Sequence, residues 1–395
     1  MLDAKTIALV RETLPAIAAA GPAVTQHFYQ RMLSHNPELK DIFNMSNQAS
    51  GRQPEALFKA LCAYGSHLDT PEALLPAVEK IAQKHVSLSI QPEQYAIVGE
   101  HLLGTIRELL DPGNEVLAAW AKAYGVLADI FINREEQIYA QHEQLSGGWR
   151  GTRDFVISEI KQESEVIKSF VLTPADGQPV SEFTAGQFVA LYLKPEGFTH
   201  RQIRQYSLTR NPDGKSYRIA VRRQPQGQVS EWLHRQAKCG DRVSLSAPSG
   251  DFQLDSSLFP APITLISAGS GQTPLLAMLH ALAKHQYPAR VNWWHAAHNR
   301  AEHAFGEEVT QEGATLESFR EVIWYKQPDG ALADSRYRSG LINITQAGSA
   351  LDNPQCHYFV CGPTGFMQSV IHQLTEAGVS QSHIHYELFG PHQDL

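Results

Sequence analysis

The tetrapeptide Arg204-Gln205-Tyr206-Ser207 combines three side chains that together suit a flavin dinucleotide. An arginine can clamp phosphate oxygens through two parallel hydrogen bonds, and an aromatic ring can lie against the flavin ring system. A small hydroxyl can reach a flavin ring nitrogen. Ile203, Tyr206 and Leu208 predict a strand that ends in a turn at 209–214. An ordinary strand with one exposed arginine fits these four residues equally well, so the neighbouring motifs decide.

A second candidate phosphate site follows an apolar strand at 263–267, where Gly269-Ser270-Gly271-Gln272-Thr273-Pro274 leads into a helix. A strand, a glycine-rich turn and a helix N-terminus form a phosphate cradle. Pro274 replaces the third glycine of the usual fingerprint, but proline suits a first helical turn. Cys361-Gly362-Pro363 also ends a predicted strand, which places it at the ligand-binding edge of a sheet. The alternative for Cys361 is a small buried thiol.

Hydrophobic periodicity divides the chain into three predicted domains, at 1–140, 151–258 and 262–395. The first contains only helical patterns. In the second, six short strands separated by turn residues predict an antiparallel β-barrel, with one helix whose start at Gln228-Val229-Ser230 could hold a pyrophosphate. In the third, strands alternate with helices, which predicts an α/β domain with a parallel sheet.

Three residues of the helical region could form a metal-ligand network. His85 and Glu135 fall on apolar helix faces, and Tyr95 lies near the start of the helix after His85. A carboxylate on an apolar face needs a partner, and a metal-bound histidine needs its other ring nitrogen hydrogen-bonded. The alternatives are a satisfied core histidine and a boundary glutamate that reaches solvent.

Length, charge and composition limit the classes of function that the chain can have. The chain has 395 residues, which suggests two or three domains, and its net charge of -8 argues against a nucleic-acid partner. None of its four cysteines forms a CxxC pair, so zinc and disulfide-framework interpretations lack support. Charged residues interrupt the apolar N-terminus, and no stretch approaches membrane-spanning length. We therefore expect a cytoplasmic protein without a stable membrane anchor, and lipid binding is left open.

These motifs carry a resemblance that covers essentially the whole chain. Residues 1–140 resemble a bacterial globin, and the remainder resembles the ferredoxin–NADP reductase family, in which the three reductase motifs occur in the same order and spacing. The two together resemble the flavohaemoglobin family. The globin segments that match are Gly21-Pro22, His27-Phe28-Tyr29, Asn36-Pro37-Glu38-Leu39, Phe43-Asn44, Gln83-Lys84-His85 and Ala123-Tyr124-Gly125-Val126-Leu127-Ala128.

The resemblance implies roles for the globin residues. His85 corresponds to the proximal haem ligand, and Tyr95 and Glu135 to the pair that orients it. Phe43 corresponds to the residue that packs on the haem. Tyr29 corresponds to the hydrogen-bond donor to dioxygen, backed by the residues at Gln53 and Leu57. Pro54 follows Gln53 and disfavours helical geometry there, so we expect Gln53 to be a helix cap with a smaller role than Tyr29.

Further implied roles concern the flavin and the nicotinamide coenzyme. Lys84 and Glu387 correspond to two residues near the gap between haem and flavin. Phe188 stands where the family usually has tyrosine, and Ala185 where it has proline, so a tyrosine hydroxyl to the cofactor is absent. The implied cofactor-binding residues, beside those of the three motifs, are Gln187, Phe188, Gln228, Val229, Ser230, Leu388, Phe389, Gly390 and Pro391.

The resemblance implies nitric oxide dioxygenase activity: NO and O2 become nitrate with electrons from NAD(P)H through FAD to haem b. The chain is expected to be monomeric. One alternative is an oxygen-binding or redox-sensing haem protein with a self-reducing flavin module. Another is a flavin reductase whose helical region is an adaptor without haem. Only Arg300 stands where a 2′-phosphate would bind, so the sequence does not choose between NADH and NADPH.

Overall fold

The computed structural model describes residues 2–43, 52–330, 332, 334–347, 351 and 353–390, with the side chains of residues 52, 53 and 56 outside that description. A helical unit, an antiparallel sheet and a parallel sheet follow one another along the chain. This order confirms the fold class predicted from the sequence.

Helices form the first unit. Asp3 begins the first of them by accepting a hydrogen bond from the Thr6 amide at 2.9 Å, and Gln91 and Gln94 form a capping box at the start of the fifth. Their apolar faces enclose a larger cluster that contains Tyr29 and a smaller one that contains Val86. The helices are α1 (Ala4–Ala20), α2 (Ala23–His35), α3 (Arg52–Ser66), α4 (Leu75–Ser87), α5 (Pro92–Leu110) and α6 (Asn114–Gln144).

Across the described residues, no single helix has the length and apolar character needed to cross a membrane. The pair α1 and α2 meets that test only when taken together, and the two are bent by 92°.

The second unit is a six-stranded antiparallel sheet in the order β4-β3-β6-β1-β2-β5. An isolated antiparallel bridge between Leu208 and Ile219 brings the two edges together, as a barrel requires. A single helix, α7 (Gln228–Arg235), precedes β6. The strands are β1 (Thr152–Gln162), β2 (Ile167–Pro174), β3 (Phe188–Leu193), β4 (Gln202–Ser207), β5 (Tyr217–Arg222) and β6 (Arg242–Ser246).

The third unit is a parallel sheet in the order β10-β9-β8-β7-β11-β12. Neighbouring residues of each strand pack on opposite faces: Leu265 and Trp293 against α8, and Ile266 and Trp294 against α10. The strands are β7 (Ile263–Ala268), β8 (Val291–Ala297), β9 (Phe319–Tyr325), β10 (Tyr337–Ser339), β11 (His357–Cys361) and β12 (Ile384–Glu387), and the helices are α8 (Gln272–Lys284), α9 (Gly306–Gly313) and α10 (Thr364–Glu376).

Ionic hydrogen bonds join the two sheets. Arg218 of β5 donates to Glu308 of α9 at 2.5 and 3.1 Å, and His280 of α8 lies 2.6 Å from the same carboxylate. All three side chains are largely buried. Charge-assisted bonds of this kind hold the barrel in one orientation on the parallel sheet.

At the carboxyl edge of the parallel sheet, the turn after β7 touches the end of β11. A Cβ atom placed on Gly271 would lie 2.1 Å from the carbonyl oxygen of Cys361, and Gly269 has a positive φ of 53°. Only glycine permits this approach. The two motifs that the sequence placed at this edge therefore meet there.

We expect Gly271→Ala to lower the stability of the protein by about 1–3 kcal/mol, because backbone on both sides must move to accommodate the new methyl group. Gly365→Ala in α10 is the control, since its Cβ would meet no atom within 4 Å. Urea unfolding followed by fluorescence compares the two. Equal midpoints for the two variants would contradict the close contact.

Candidate functional site

The helical unit brings His85, Tyr95 and Glu135 together on α4, α5 and α6. Nδ1 of His85 lies 2.8 Å from Oε1 of Glu135 and 2.9 Å from the Tyr95 hydroxyl, which itself donates to Glu135 at 2.5 Å. Glu135 is only 4% exposed, so its charge depends on these two donors. Burial, and then the Glu135 charge, raise the pKa of Tyr95, which therefore remains a donor.

This arrangement fixes the tautomer of His85. Because Glu135 accepts a hydrogen bond, Nδ1 carries the proton and Nε2 keeps its lone pair. Within the described residues Nε2 has no hydrogen-bond partner, and the imidazole remains about one-third exposed. An oriented imidazole with a free Nε2 fits a metal ion such as haem iron.

Two apolar clusters meet in the helical unit that carries His85. Tyr29 is buried in the larger helical cluster, where its ring meets the edge of Phe43 at 5.7 Å between centroids. Leu57 and Phe43 are partly exposed and pack on that cluster, while Leu74 and Leu127 pack on both clusters. Partly exposed apolar side chains on these clusters, in the same helical unit as a buried phenol and a free imidazole nitrogen, fit a haem.

Gln53 belongs to the first turn of α3, which begins at Arg52. It therefore does not precede the helix as a cap, contrary to our expectation, because Pro54 sits in a first turn where its missing N–H is not needed. The side chain of Gln53 lies outside the described part of the structure. Its smaller role remains a prediction.

On β4, Arg204 has the features of an anion-binding residue. Its guanidinium donates to the Ile203 carbonyl at 2.7 Å and to Oε1 of Gln202 at 3.0 Å, and no carboxylate in the described part of the chain pairs with it. Burial lowers its pKa. A partly buried cation bonded only to neutral acceptors fits a pyrophosphate.

The other residues of the flavin prediction divide into two groups. Ser207 is a buried residue whose hydroxyl makes no hydrogen bond in the described part of the chain, so the hydroxyl is free for a ligand. In contrast, three predicted side chains bond within the protein: Gln205 to Ser87 at 2.7 Å, Gln187 to the Thr184 amide at 2.8 Å, and Ser230 to the Gln224 amide at 3.0 Å. These bonds fix the orientation of the three side chains within the protein.

Backbone N–H groups at two helix starts complete the candidate phosphate sites. Gly227 precedes α7 and no side chain caps it, so the amides of Gln228 and Val229 remain available. The turn Gly269–Gly271 enters α8 with Gln272, Thr273 and Pro274 in its first turn, likewise without a side-chain cap. Phe188 is buried, with its ring against Gly250.

The C-terminal segment reaches the helical unit through Lys84. Its ammonium donates to the Gly390 carbonyl at 3.0 Å and lies 4.0 Å from Glu387. Burial lowers the pKa of Lys84 and raises the pKa of Glu387, so the pair sits in a site that disfavours charge. Leu388 is buried and Phe389 is half-exposed, whereas Pro391 lies outside the described residues.

Cys361 is fully buried at the end of β11, and burial raises the pKa of its thiol well above the ordinary value. It is therefore a neutral thiol. Its backbone contact with Gly271 places it beside the turn that starts α8. Gly362 and Pro363 connect it to α10.

Sequence reasoning missed the residues that connect the helical unit to the barrel. Gln83, Ser87 and Tyr192 are buried polar residues at this boundary. Tyr192 donates to the Ser87 carbonyl at 2.5 Å, and Oε1 of Gln83 accepts from the Gly250 amide at 2.9 Å. Their partners lie about a hundred or more residues away along the chain, so no local pattern marks them.

Three family profiles match consecutive parts of the chain: a globin at residues 26–131, an oxidoreductase FAD-binding domain at 154–254 and an oxidoreductase NAD-binding domain at 265–372. Fold and site therefore define a haem globin joined to a reductase that binds FAD and NAD(P)H. This confirms the predicted cofactors, and the chain is an oxidoreductase built for electron transfer from NAD(P)H to haem.

Solved structures agree with this class. A flavohemoglobin from Malassezia yamatoensis with bound FAD and heme is 29% identical, covers 98% of this chain and 100% of its own, and has a TM-score of 0.88. The flavohem-like FAD/NAD binding domain of nitric oxide dioxygenase from Vibrio cholerae O1 biovar El Tor is 39% identical over 60% of this chain and 99% of its own, at a TM-score of 0.56. A cytochrome P450 reductase from Amycolatopsis is 26% identical over 61% of this chain and 72% of its own, at 0.53. The chain belongs to the flavohaemoglobin family, as its motifs predict.

We expect Glu135→Gln to weaken haem retention or activity about ten- to hundredfold, because a second partner that polarises a ligating histidine has effects of this size. Tyr95→Phe leaves the bond between His85 and Glu135 in place and should have a smaller effect. Haem titration and the iron–histidine stretching frequency measure both. A Glu135→Gln protein with an unchanged frequency would show that the carboxylate does not act on the ligand.

Arg204→Ala should purify with little FAD, since a lost charge-assisted contact removes about 1.5–3 kcal/mol, or roughly one to two decades of affinity. Ser207→Ala should keep FAD and slow flavin reduction by NADH. Bound FAD, bound haem and the reduction rate are measured in each variant, with haem content as the control. Full FAD affinity in Arg204→Ala, or FAD loss without a kinetic defect in Ser207→Ala, would contradict these roles.

Proposed function

We propose that this protein is a nitric oxide dioxygenase that converts NO and O2 into nitrate with electrons from NAD(P)H. The observation that carries the proposal is the buried carboxylate behind His85. A histidine that donates from Nδ1 to a carboxylate is a stronger electron donor to a metal at Nε2. Reversible oxygen storage has no need for such a donor, whereas a reaction of O2 benefits from it.

The phenol in the larger helical cluster supports the same reaction. Tyr29 presents a buried phenol, and a phenol can donate a hydrogen bond to a dioxygen substrate that gains negative charge. Phe43 and Leu57 pack on the cluster that contains Tyr29, and apolar surroundings strengthen such a hydrogen bond.

The reductase supplies electrons. When bound, the flavin accepts a hydride and releases its two electrons singly. Arg204 holds the phosphate end of the cofactor, the starts of α7 and α8 offer their amides to FAD and NAD(P)H, and Ser207 offers its hydroxyl to the flavin ring. A structural relative in Vibrio cholerae is named as a domain of nitric oxide dioxygenase, which supports the proposal.

Nitrate formation tests the proposal. One NO, one O2 and one electron give one nitrate, so each NAD(P)H should support two turnovers. Purified protein with haem and FAD is mixed with limiting NO in aerobic buffer, and nitrate, NAD(P)H and NO are measured together. NAD(P)H oxidation and O2 binding without nitrate would favour the oxygen-binding or redox-sensing alternative instead.

Tyr29→Phe should speed O2 release and lower NO turnover by roughly one to two decades, because a hydrogen bond to partly anionic O2 contributes about 1.5–3 kcal/mol. Stopped-flow measurement of O2 dissociation gives the first effect. Tyr64→Phe is the matched control, since it removes another buried phenol whose hydroxyl bonds the Ala123 carbonyl instead. An unchanged O2 off-rate in Tyr29→Phe would place this hydroxyl outside the reaction.

A further inference from the structure

The last turn of α4, which carries His85, is held by the barrel. The Tyr192 hydroxyl donates to the Ser87 carbonyl at 2.5 Å, the Gln205 amide donates to the Ser87 hydroxyl at 2.7 Å, and the Gly250 amide donates to Gln83 at 2.9 Å. We name these three hydrogen bonds the α4 clamp. Gln83 and Ser87 each stand two residues from His85, on either side of it.

The clamp supplies a hydrogen-bond donor to a carbonyl group at the end of α4 that the helix itself leaves without one. The last carbonyl groups of a helix receive no hydrogen bond from the helix itself. Ser87 is the last residue of α4, so its carbonyl needs a donor from elsewhere. Ser87 and Tyr192 are both buried, so the Ser87 carbonyl would have no partner from solvent if the Tyr192 hydroxyl were removed. Leu88 adds an apolar contact, since it packs on Ala190, Tyr192 and Ile203 of the barrel.

The backbone after α4 has a conformation that needs such support. Ser89 has a positive φ of 56°, which a residue with a side chain rarely adopts. Its hydroxyl lies 3.1 Å from the Tyr192 hydroxyl, so one tyrosine contacts both the helix end and the strained residue. Burial raises the pKa of Tyr192 to about 12, and the phenol is therefore a donor throughout the physiological range.

The barrel residues of the clamp lie in the strands that carry the candidate flavin site. Tyr192 is on β3, which pairs with β4, and Gln205 stands between Arg204 and Tyr206 on β4. Gly250 follows Ser249, which bridges to Phe188 at the start of β3. A ligand that orders β3 and β4 therefore acts on the same backbone that holds α4.

We propose that Tyr192, with Gln205, is a positioning residue for the haem ligand, and that FAD binding on β3 and β4 is transmitted through the α4 clamp to His85. This positioning role requires haem at His85 and does not depend on NO as the substrate. A protein without NO turnover would therefore not contradict the positioning role. A clamp that does not transmit FAD binding would not contradict the proposed function.

The test compares Tyr192→Phe with Tyr139→Phe, each with and without FAD. Tyr139 is a matched control because its hydroxyl also reaches this turn, at 3.1 Å from the Ile90 carbonyl, but it belongs to α6 of the helical unit. The readouts are the iron–histidine stretching frequency of the ferrous protein and amide hydrogen exchange of residues 84–90.

In the natural protein and in Tyr139→Phe, FAD should shift the stretching frequency and slow exchange in residues 84–90. In Tyr192→Phe both responses should disappear. Electron transfer from reduced flavin to haem should fall about three- to tenfold in this variant, as expected for one lost hydrogen bond, while NADH reduces the flavin at the normal rate. A full FAD response in Tyr192→Phe, or an equal loss in Tyr139→Phe, would overturn the proposal.

Ser87→Ala provides a second, milder test that removes the acceptor of Gln205, together with the hydrogen bond that the Ser87 hydroxyl donates to the Lys84 carbonyl. It should reduce the FAD response partly and leave the Tyr192 bond to the backbone carbonyl intact. If Tyr192→Phe does not retain haem, Ser87→Ala decides: an FAD response equal to that of the natural protein would reject the role of the clamp.

Discussion

The buried Glu135 carboxylate is the constraint on which the helical unit depends. A charge with 4% exposure requires nearby donors, and the two that it has come from two other helices. The packing of α4, α5 and α6 must therefore place His85 and Tyr95 within hydrogen-bond distance of one atom. The same contacts leave Nε2 of His85 free. The hydrogen bonds that stabilise the buried Glu135 carboxylate therefore also orient His85 as a metal ligand.

The barrel has two surfaces with different tasks. Among the described residues the partly buried Arg204 bonds only neutral acceptors, whereas Gln205, the next residue, contacts the helical unit. Alternation along a strand makes this division natural, because successive side chains point to opposite faces. Arg218 and His280, which share Glu308, orient the barrel on the parallel sheet. The flavin strands thus lie between the source of electrons and their destination.

The sequence was most informative where local pattern and burial agree. Six short strands are predicted for 151–258 and six form the sheet, and all six residues of β3 are buried. Strand β4 contains the predicted Ile203 and Tyr206 and begins at Gln202, because pairing with β3 extends through polar residues. The short edge strand β10 contains no apolar run from which the sequence could predict it. The network of His85, Tyr95 and Glu135 followed from apolar faces and resemblance, but the side-chain directions of Gln187, Gln205 and Ser230 depend on tertiary neighbours that no spacing encodes.

The left-handed backbone at Ser89 affects whether the globin of such a fusion protein can be combined with a different reductase. A globin of this kind joined to a foreign reductase would receive the cofactors, yet its helix would end without the phenol that contacts both Ser87 and Ser89. Recombination of whole modules would then yield chimeras with poor internal electron delivery unless a tyrosine at the position of Tyr192 came with the donor barrel. A designer of hybrid enzymes should therefore transplant the strand pair β3 and β4 together with the helix that it supports.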